Sequence, residues 1–420
     1  MNEIRDPVHN FILFDDFEKR LIDSKPVQRL KHIKQLALTC EVYPGATHSR
    51  FEHSLGTMEL ATQAFDMIVR KNPPDLAKLE WGPFERETYR QVLRIGALLH
   101  DVGHAPFSHA PEALLPEGYA GHEDFSRRFI LSDFIRPRLR KGTVTFDEDQ
   151  VVAVALGPQK SPQEDSSIQL LQELVAGELG ADRIDYLVRD ALHTGAAAGR
   201  FDYHRLLNTL TVIEQPGTDS PVLALEEGGV HAAEALLLSR YFMFLQVYFH
   251  RVRRIYDIHL ADFLSGYLSG GRFPAELDEY IRYTDDPVHS AIADAAGGTD
   301  DLAQVACRLV GRHHYRLAFE VTAKEREKDI EFFPRLAEHV RERFDDLVRT
   351  DEVGKEPSAL EPGDLYIVND DGTAKDIFEV SQVVGPLKPI WIGRVYARED
   401  VRQKVKKACK EFVSQEGATS

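Results

Sequence analysis

The densest group of chemically capable side chains in the sequence is His100-Asp-Val-Gly-His-Ala-Pro-Phe-Ser-His109, three histidines and an aspartate within ten residues. Imidazole and carboxylate together suit borderline-hard divalent ions such as manganese, iron or zinc. The spacing matches no zinc-finger pattern and no cysteine is near it, which argues against a closed structural zinc site. A His-Asp pair at the end of a helix has a plainer reading, an imidazole interacting with the helix dipole. The additional histidines weigh against that reading. A metal needs more ligands than His100 and Asp101, and two positions on other helices offer them. His53 follows Arg50-Phe-Glu at a helix start, and Asp182 lies on the polar face of a helix whose opposite face is apolar.

Such side chains need helices to carry them, and the first two-thirds of the chain reads as helix after helix. A short one is expected over 29–38, before Tyr43-Pro-Gly-Ala, and a longer one over 55–70, stopped by Asn72-Pro-Pro. Over 87–101, Val92, Ile95, Leu98 and Leu99 form an apolar stripe at helical spacing, and Gly103 and Pro106 break it. Over 170–192, Ile184, Leu187, Val188 and Ala191 face one way, while Asp182, Tyr186, Arg189, Asp190 and His193 face the other. A long helical pattern runs over 232–268. Pro216-Gly217 between two β-prone runs predicts a small hairpin near 209–226. After about residue 355 the texture changes, with strands expected at 365–368, 377–380 and 390–396 and a final helix over 399–413. The expected fold is an all-α body over 1–355 with a small α+β C-terminal unit over 356–420.

Composition narrows the function. The 420 residues are 43% hydrophobic, enough to bury a sizeable core, and the net charge is −17. A globally acidic surface is repelled by nucleic-acid phosphates, so no stable duplex binding is expected. A small anionic substrate stays open, because a bound metal supplies local positive charge. Cys40, Cys307 and Cys409 form no disulfide framework, the N-terminus lacks a secretion signal, and the most apolar run is too short to span a bilayer. A cytoplasmic protein without membrane contact is the expectation.

The order His53, His100-Asp101, Asp182 resembles the HD-domain metal phosphohydrolases. Within that superfamily, Ile33-Lys-Gln-Leu36, Tyr43-Pro-Gly-Ala-Thr-His-Ser-Arg-Phe-Glu-His-Ser-Leu-Gly56, His100 to His109, Gly121-His-Glu, Asp182-Arg-Ile-Asp-Tyr-Leu-Val-Arg-Asp190 and Phe201-Asp-Tyr203 are similar to the deoxynucleoside triphosphate triphosphohydrolases. That group includes bacterial enzymes and a vertebrate one that joins a sterile-alpha-motif domain to the HD domain. The resemblance implies one divalent metal (Mn, Fe, Mg, Ni or Zn) held by His53, His100, Asp101 and Asp182. It makes His104 and His109 the residues that handle the protons of attacking water and leaving oxygen, with His122 near the phosphates. Glu112, where the vertebrate relative has aspartate, would orient a histidine. Arg50 and Arg183 would hold phosphates. Tyr186 would lie under the sugar and exclude a 2′-hydroxyl, Asp190 and Gln35 would take the 3′-hydroxyl, and His250 would lie near the substrate.

The activity so implied is hydrolysis of a dNTP to deoxynucleoside and inorganic triphosphate by attack at the α-phosphorus. A homo-oligomer (dimer or tetramer) and a nucleotide activator are further implications. Two rivals stand beside it. An HD phosphodiesterase or nuclease would use the same metal ligands on cyclic nucleotides or single strands. A non-catalytic nucleotide sensor would ordinarily have lost some of those ligands, and here all are present.

Overall fold

Prolines, capping side chains and left-handed residues decide where the helices of this chain begin and end. The structure is a computed structural model that describes residues 1–142, 145–218, 220–321, 323–356 and 360–416. Helix α1 (Arg50–Lys71) starts after Ser49, whose N–H donates to Glu52 Oε1 at 3.4 Å, and ends on Asn72 at φ 48° ahead of two prolines. Helix α2 (Pro83–Leu99) opens on a proline, where the missing N–H costs nothing. Every residue over 91–99 is buried, so α2 runs through the core and delivers His100 and Asp101 as it leaves it. Then come α3 (His122–Ile130), α4 (Glu148–Lys160), α5 (Ser166–Ala176) and α6 (Ala181–Thr194), the last closed by Gly195 at φ 74°. Helix α1 packs on α2 and α6, α2 on α4, and α4 on α5.

Two glycines set how closely these pieces approach. A Cβ on Gly56 of α1 would stand 2.0 Å from Asp185 Oδ1 of α6. One on Gly103 would meet Ser126 N at 2.2 Å and the His122 carbonyl at 2.3 Å. Ser126 Oγ accepts Gly103 N–H and donates to the His100 carbonyl, at 3.0 and 2.9 Å, so the start of α3 is fastened to the end of α2.

The contacts divide the chain into two interleaved units, Met1–Met243, Phe273–Asp286 and Ser358–Leu387 in one, Phe244–Arg272, Pro287–Pro357 and Lys388–Ser420 in the other. This differs from the expected cut at 355/356. The physical reason lies in the sheets. Tyr366–Val368 and Ala374–Asp376 extend the hairpin of Leu210–Glu214 and Pro221–Glu226 in the first unit. Ile390–Ala397 is instead the central strand between Arg316–Val321 and Val348–Lys355 in the second. Phe333, Leu336, Val340, Val395 and Val405 are among the residues of that unit's core.

The mainly helical body, the hairpin and the C-terminal strands at 366–368 and 390–397 agree with the sequence reading. Several elements do not. In place of a helix over 29–38 there is Lys25–Arg29, a 3-10 turn at Leu30–His32, and then a bridge from Lys34 to Ser49 and a turn over 35–38. There Gln35 N–H bonds the His48 carbonyl and Arg50 N–H the Ile33 carbonyl. The 170–192 helix is two helices, because Gly180 N–H turns back to the Gly177 carbonyl. The 232–268 pattern is broken by a π-turn at Phe244–Tyr248 between Val230–Met243 and Arg251–Tyr267. Ile377–Val380 is a short helix capped by Asp376, not a strand. An N-terminal hairpin, β1 (Asn2–Asp6) with β2 (Asn10–Phe14), has no counterpart in the sequence reading.

Candidate metal centre

Three segments bring the four expected ligands together. Helix α1 carries His53, the end of α2 leads into His100 and Asp101, and the first turn of α6 carries Asp182. His53 Nε2 lies 3.0 Å from Asp182 Oδ1 and 3.7 Å from Asp101 Oδ2. His100 Nε2 lies 3.3 Å from Asp101 Oδ1 and 3.7 Å from Asp182 Oδ1. An ion binding nitrogen and oxygen at about 2.1 Å keeps adjacent ligand atoms roughly 3.0–3.4 Å apart. His53, His100 and Asp182 each offer a ligand atom within 4.8 Å of the others, and Asp101 lies against both histidines beside that group.

The remaining ring nitrogens point away from the group. His53 Nδ1 donates to Asp185 Oδ2 at 2.8 Å, and His100 Nδ1 to the Ala97 carbonyl at 2.7 Å. A carboxylate and a carbonyl only accept, so each Nδ1 holds a proton and Nε2 is the atom left to face the group. Among the described residues, His100 Nε2 is buried without a hydrogen-bond partner. An orphan of that kind costs about 1–3 kcal/mol, and a cation among these donors relieves it. Burial works against charge on His53, yet its hydrogen bonds to Asp182 and Asp185 outweigh that and hold its pKa up at about 10. Burial likewise opposes ionisation of Asp101, but Arg50 and the neighbouring histidines keep that carboxyl well below its usual range. Burial also opposes ionisation of Asp182, but the neighbouring His100 and His53 keep its carboxyl below its usual range. The two carboxylates are ionised, as ligands of a cation must be, and an ion taking His53 Nε2 would displace the proton those carboxylates hold there.

A second cluster, His104, His109, Glu112 and His122, has its ligand-capable atoms within 4.8 Å of one another. Glu112 accepts His109 Nδ1 at 3.0 Å on one oxygen and His122 Nδ1 at 2.8 Å on the other. The rings of His104 and His122 stack 3.5 Å apart and 18° from parallel. An ion lies near the plane of each imidazole that binds it, so two stacked rings cannot aim at one ion, and this group suits proton handling instead. His104 Nε2 stands 3.2 Å from Asp101 Oδ1. Burial first, then the positive charge of Arg50, push the His104 pKa well down, so the ring is neutral.

The expected substrate contacts divide. Arg50 places Nη1 on Asp101 and Nε on Ser108 Oγ, the latter at 2.7 Å, and Arg183 places Nη1 2.8 Å from Glu178. Tyr186 is partly buried on α6, one turn after Asp182. Asp190 accepts His48 Nε2 at 2.7 Å, and Gln35 N–H donates to the His48 carbonyl at 3.0 Å, so His48 joins these two expected sugar contacts. Gln35 Oε1 is buried and has no hydrogen-bond partner among the described residues. His250 belongs to the second unit, where its Nδ1 accepts Val252 N–H at 3.3 Å and caps the Arg251–Tyr267 helix.

The sequence reading passed over Asp185, His48 and Asp285. Asp185 stands three residues after Asp182 in the same motif, a visible signal; Asp285 had none. It is buried, and it pins the strained turn after the His-Asp pair, where Phe107 and Ser108 both have left-handed φ (58° and 61°). Its Oδ1 accepts Phe107 N–H at 2.7 Å and its Oδ2 accepts Lys34 N–H at 2.9 Å, while Ser108 Oγ donates to the Lys34 carbonyl at 2.6 Å.

Residues 50–185 match the family described as HD domain, and residues 201–419 the one described as HD associated region. The crystal structure of a hypothetical protein from Aquifex aeolicus has a TM-score of 0.79 to this chain at 33% identity, covering 97% of this chain and 99% of that one. The uncharacterized protein YwfO of Bacillus subtilis is 37% identical over 287 residues, 68% of this chain and 59% of its own. The human deoxynucleoside triphosphate triphosphohydrolase SAMHD1 is 31% identical over 286 residues, 62% of this chain and 44% of its own. The chain thus spans about half to three-fifths of such relatives. Among the described residues no helix is long and apolar enough to cross a membrane.

Proposed function

The chain belongs to the HD-domain family, and from that premise we propose that it is a metal-dependent phosphohydrolase cleaving dNTPs to deoxynucleoside and inorganic triphosphate. One observation carries the reading: two histidines whose Nδ1 protons are committed elsewhere turn Nε2 toward two ionised aspartates, Asp101 beside His100 and Asp182 on α6. His53, His100, Asp101 and Asp182 would hold one divalent ion, which when bound supplies Lewis-acid charge at a phosphate oxygen and eases the deprotonation of water.

The chain's own residues do the rest. Water attacks the α-phosphorus, the bond to O5′ breaks, one proton leaves the water and one reaches O5′. His104 donates its Nε2 proton to Asp101, which leaves Nδ1, buried and unpartnered, as the base. His109, committed to Glu112 through Nδ1 and with an exposed side chain, delivers a proton from Nε2. His122 shares Glu112 and stacks on His104, fixing that ring. Arg50 and Arg183 neutralise charge on the phosphates, exchanging part of their contact with Asp101 and Glu178 for phosphate oxygens. Asp190 accepts the proton of the 3′-hydroxyl, Gln35 donates an amide N–H to that hydroxyl's oxygen, and Tyr186 occupies the space of a 2′-hydroxyl. The dNTP assignment draws support from the motifs shared with the triphosphohydrolases and from the activity in the human relative's name. A homo-oligomer with a nucleotide activator is part of the same proposal.

The test is a panel of dNTPs, NTPs and model diesters with Mn, Fe, Mg, Ni or Zn added in turn, and the products identified. Equal amounts of deoxynucleoside and tripolyphosphate, from dNTPs alone, are expected. Pyrophosphate release, or cleavage of diesters only, would overturn the assignment in favour of the phosphodiesterase or nuclease reading.

A further inference from the structure

His53 is oriented by Asp185, and Asp185 is itself held from outside the matched HD segment. Each of its oxygens accepts two hydrogen bonds. Oδ2 takes His53 Nδ1 and Arg189 Nε, both at 2.8 Å. Oδ1 takes Arg189 Nη2 at 2.9 Å and His9 Nε2 at 2.6 Å. His9 sits at the turn of the β1–β2 hairpin, far upstream in sequence, yet its side chain is only 2% exposed and that of Asp185 is fully buried. The turn is fixed in its own right. Asp6 Oδ1 accepts the N–H groups of Val8 and His9 at 2.8 and 2.9 Å, and Asp6 Oδ2 accepts Arg189 Nη1 at 2.8 Å. Gly56 leaves the space this cluster needs, since a Cβ there would also stand 2.4 Å from Arg189 Nη2.

An ionised carboxylate only accepts, so His9 Nε2 must be a donor, and it completes the four donors that Asp185 can take. With all four in place the carboxylate plane cannot rotate, and the Oδ2 lone pair stays aimed at His53 Nδ1. We propose that His9 is a positioning residue of the metal centre: through His9 and Asp6 the N-terminal hairpin locks Asp185 so that His53 turns Nε2 to the ion. The inference rests on the metal reading above. Outer-shell partners of metal-bound histidines carry about 10–100-fold of metal affinity, and a hydrogen-bonded ion pair that serves folding alone carries none.

The test is Mn²⁺ titration calorimetry on the full, metal-stripped chain, with the melting temperature of each metal-free variant recorded alongside. His9→Met and His9→Asn put no donor within reach of Asp185, whereas His9→Gln keeps an N–H near the place of Nε2. We expect about 10–100-fold weaker Mn²⁺ binding in the first two and affinity near that of the original chain in the third. If the methionine variant fails to fold, the asparagine variant carries the same comparison. Methionine and asparagine variants that bind Mn²⁺ as tightly as the original chain, while His53→Ala has lost it, would overturn the role of His9. So would a glutamine variant as weak as the methionine one. An original chain that takes up no Mn²⁺ is a different failure, that of the metal reading, and the role of His9 falls with it.

Discussion

An imidazole is a dependable ligand only when its second nitrogen is already spoken for, and here Asp185 and the Ala97 carbonyl do that for His53 and His100. Asp101→Ala should therefore abolish both metal retention and turnover, since it removes a ligand and leaves Arg50 buried without its carboxylate; metal analysis of the purified variant checks this. Asp185→Asn is expected to keep the fold but bind metal about 10–100-fold more weakly, because the amide can present N–H to His53 Nδ1 and reverse the tautomer. Isothermal titration reads it. Asp285 gives a pH signature. Burial outweighs its two amide donors and raises its pKa from 3.8 to about 6. The folded state therefore holds this proton more tightly than the unfolded chain, so the stabilising contribution is whole below about pH 4 and is lost as pH rises through about 6. In thermal melts compared with Asp285→Asn across that range, the original chain should lose up to about 3 kcal/mol relative to the variant. The proposed ligands could be picked out in the sequence because their types and order are distinctive. Asp285 was not, because a lone aspartate in a polar stretch looks the same whether it meets solvent or the amides of Lys34 and Phe107.

Elements place these residues by how they start, stop and cross. Helix α6 was readable from its two faces, but its start was not, since only the turn at Gly177–Gly180 reveals that Asp182 lies in a first turn rather than in mid-helix. Residues 33–36 have helical composition, yet Ile33 and Gln35 bond to Arg50 and His48 and Lys34 to Asp285 and Ser108, pairings that no local pattern announces. The crossing of the His-Asp turn over α3 has a sharp consequence. A methyl on Gly103 meets backbone of α3 on three sides, at 2.2, 2.3 and 2.8 Å. Gly103→Ala should thus cost roughly 2–4 kcal/mol of stability and, by shifting His122, lower turnover with little change in metal content. Denaturant melts and metal analysis on one preparation separate the two effects.

At the scale of the molecule, the net charge of −17 and the proposed anionic substrate are reconciled by enclosure: the carboxylates of Asp101 and Asp182 are sheathed by Arg50, His53, His100 and the ion they would hold. The interleaving of the two units was beyond a linear reading, because strands a few residues apart, at 366–368 and 390–397, enter different sheets. A chain cut at 355 would lose two strands from one sheet and the central strand from the other, so it should show no cooperative melt by circular dichroism. A compact, cooperatively melting 1–355 fragment would contradict the division.

The most direct test is a crystal grown with Mn²⁺ and measured for anomalous scattering. The account predicts a single strong peak about 2.0–2.3 Å from His53 Nε2, His100 Nε2 and carboxylate oxygens of Asp101 and Asp182. A peak ligated elsewhere, or none where those four side chains meet, would contradict it.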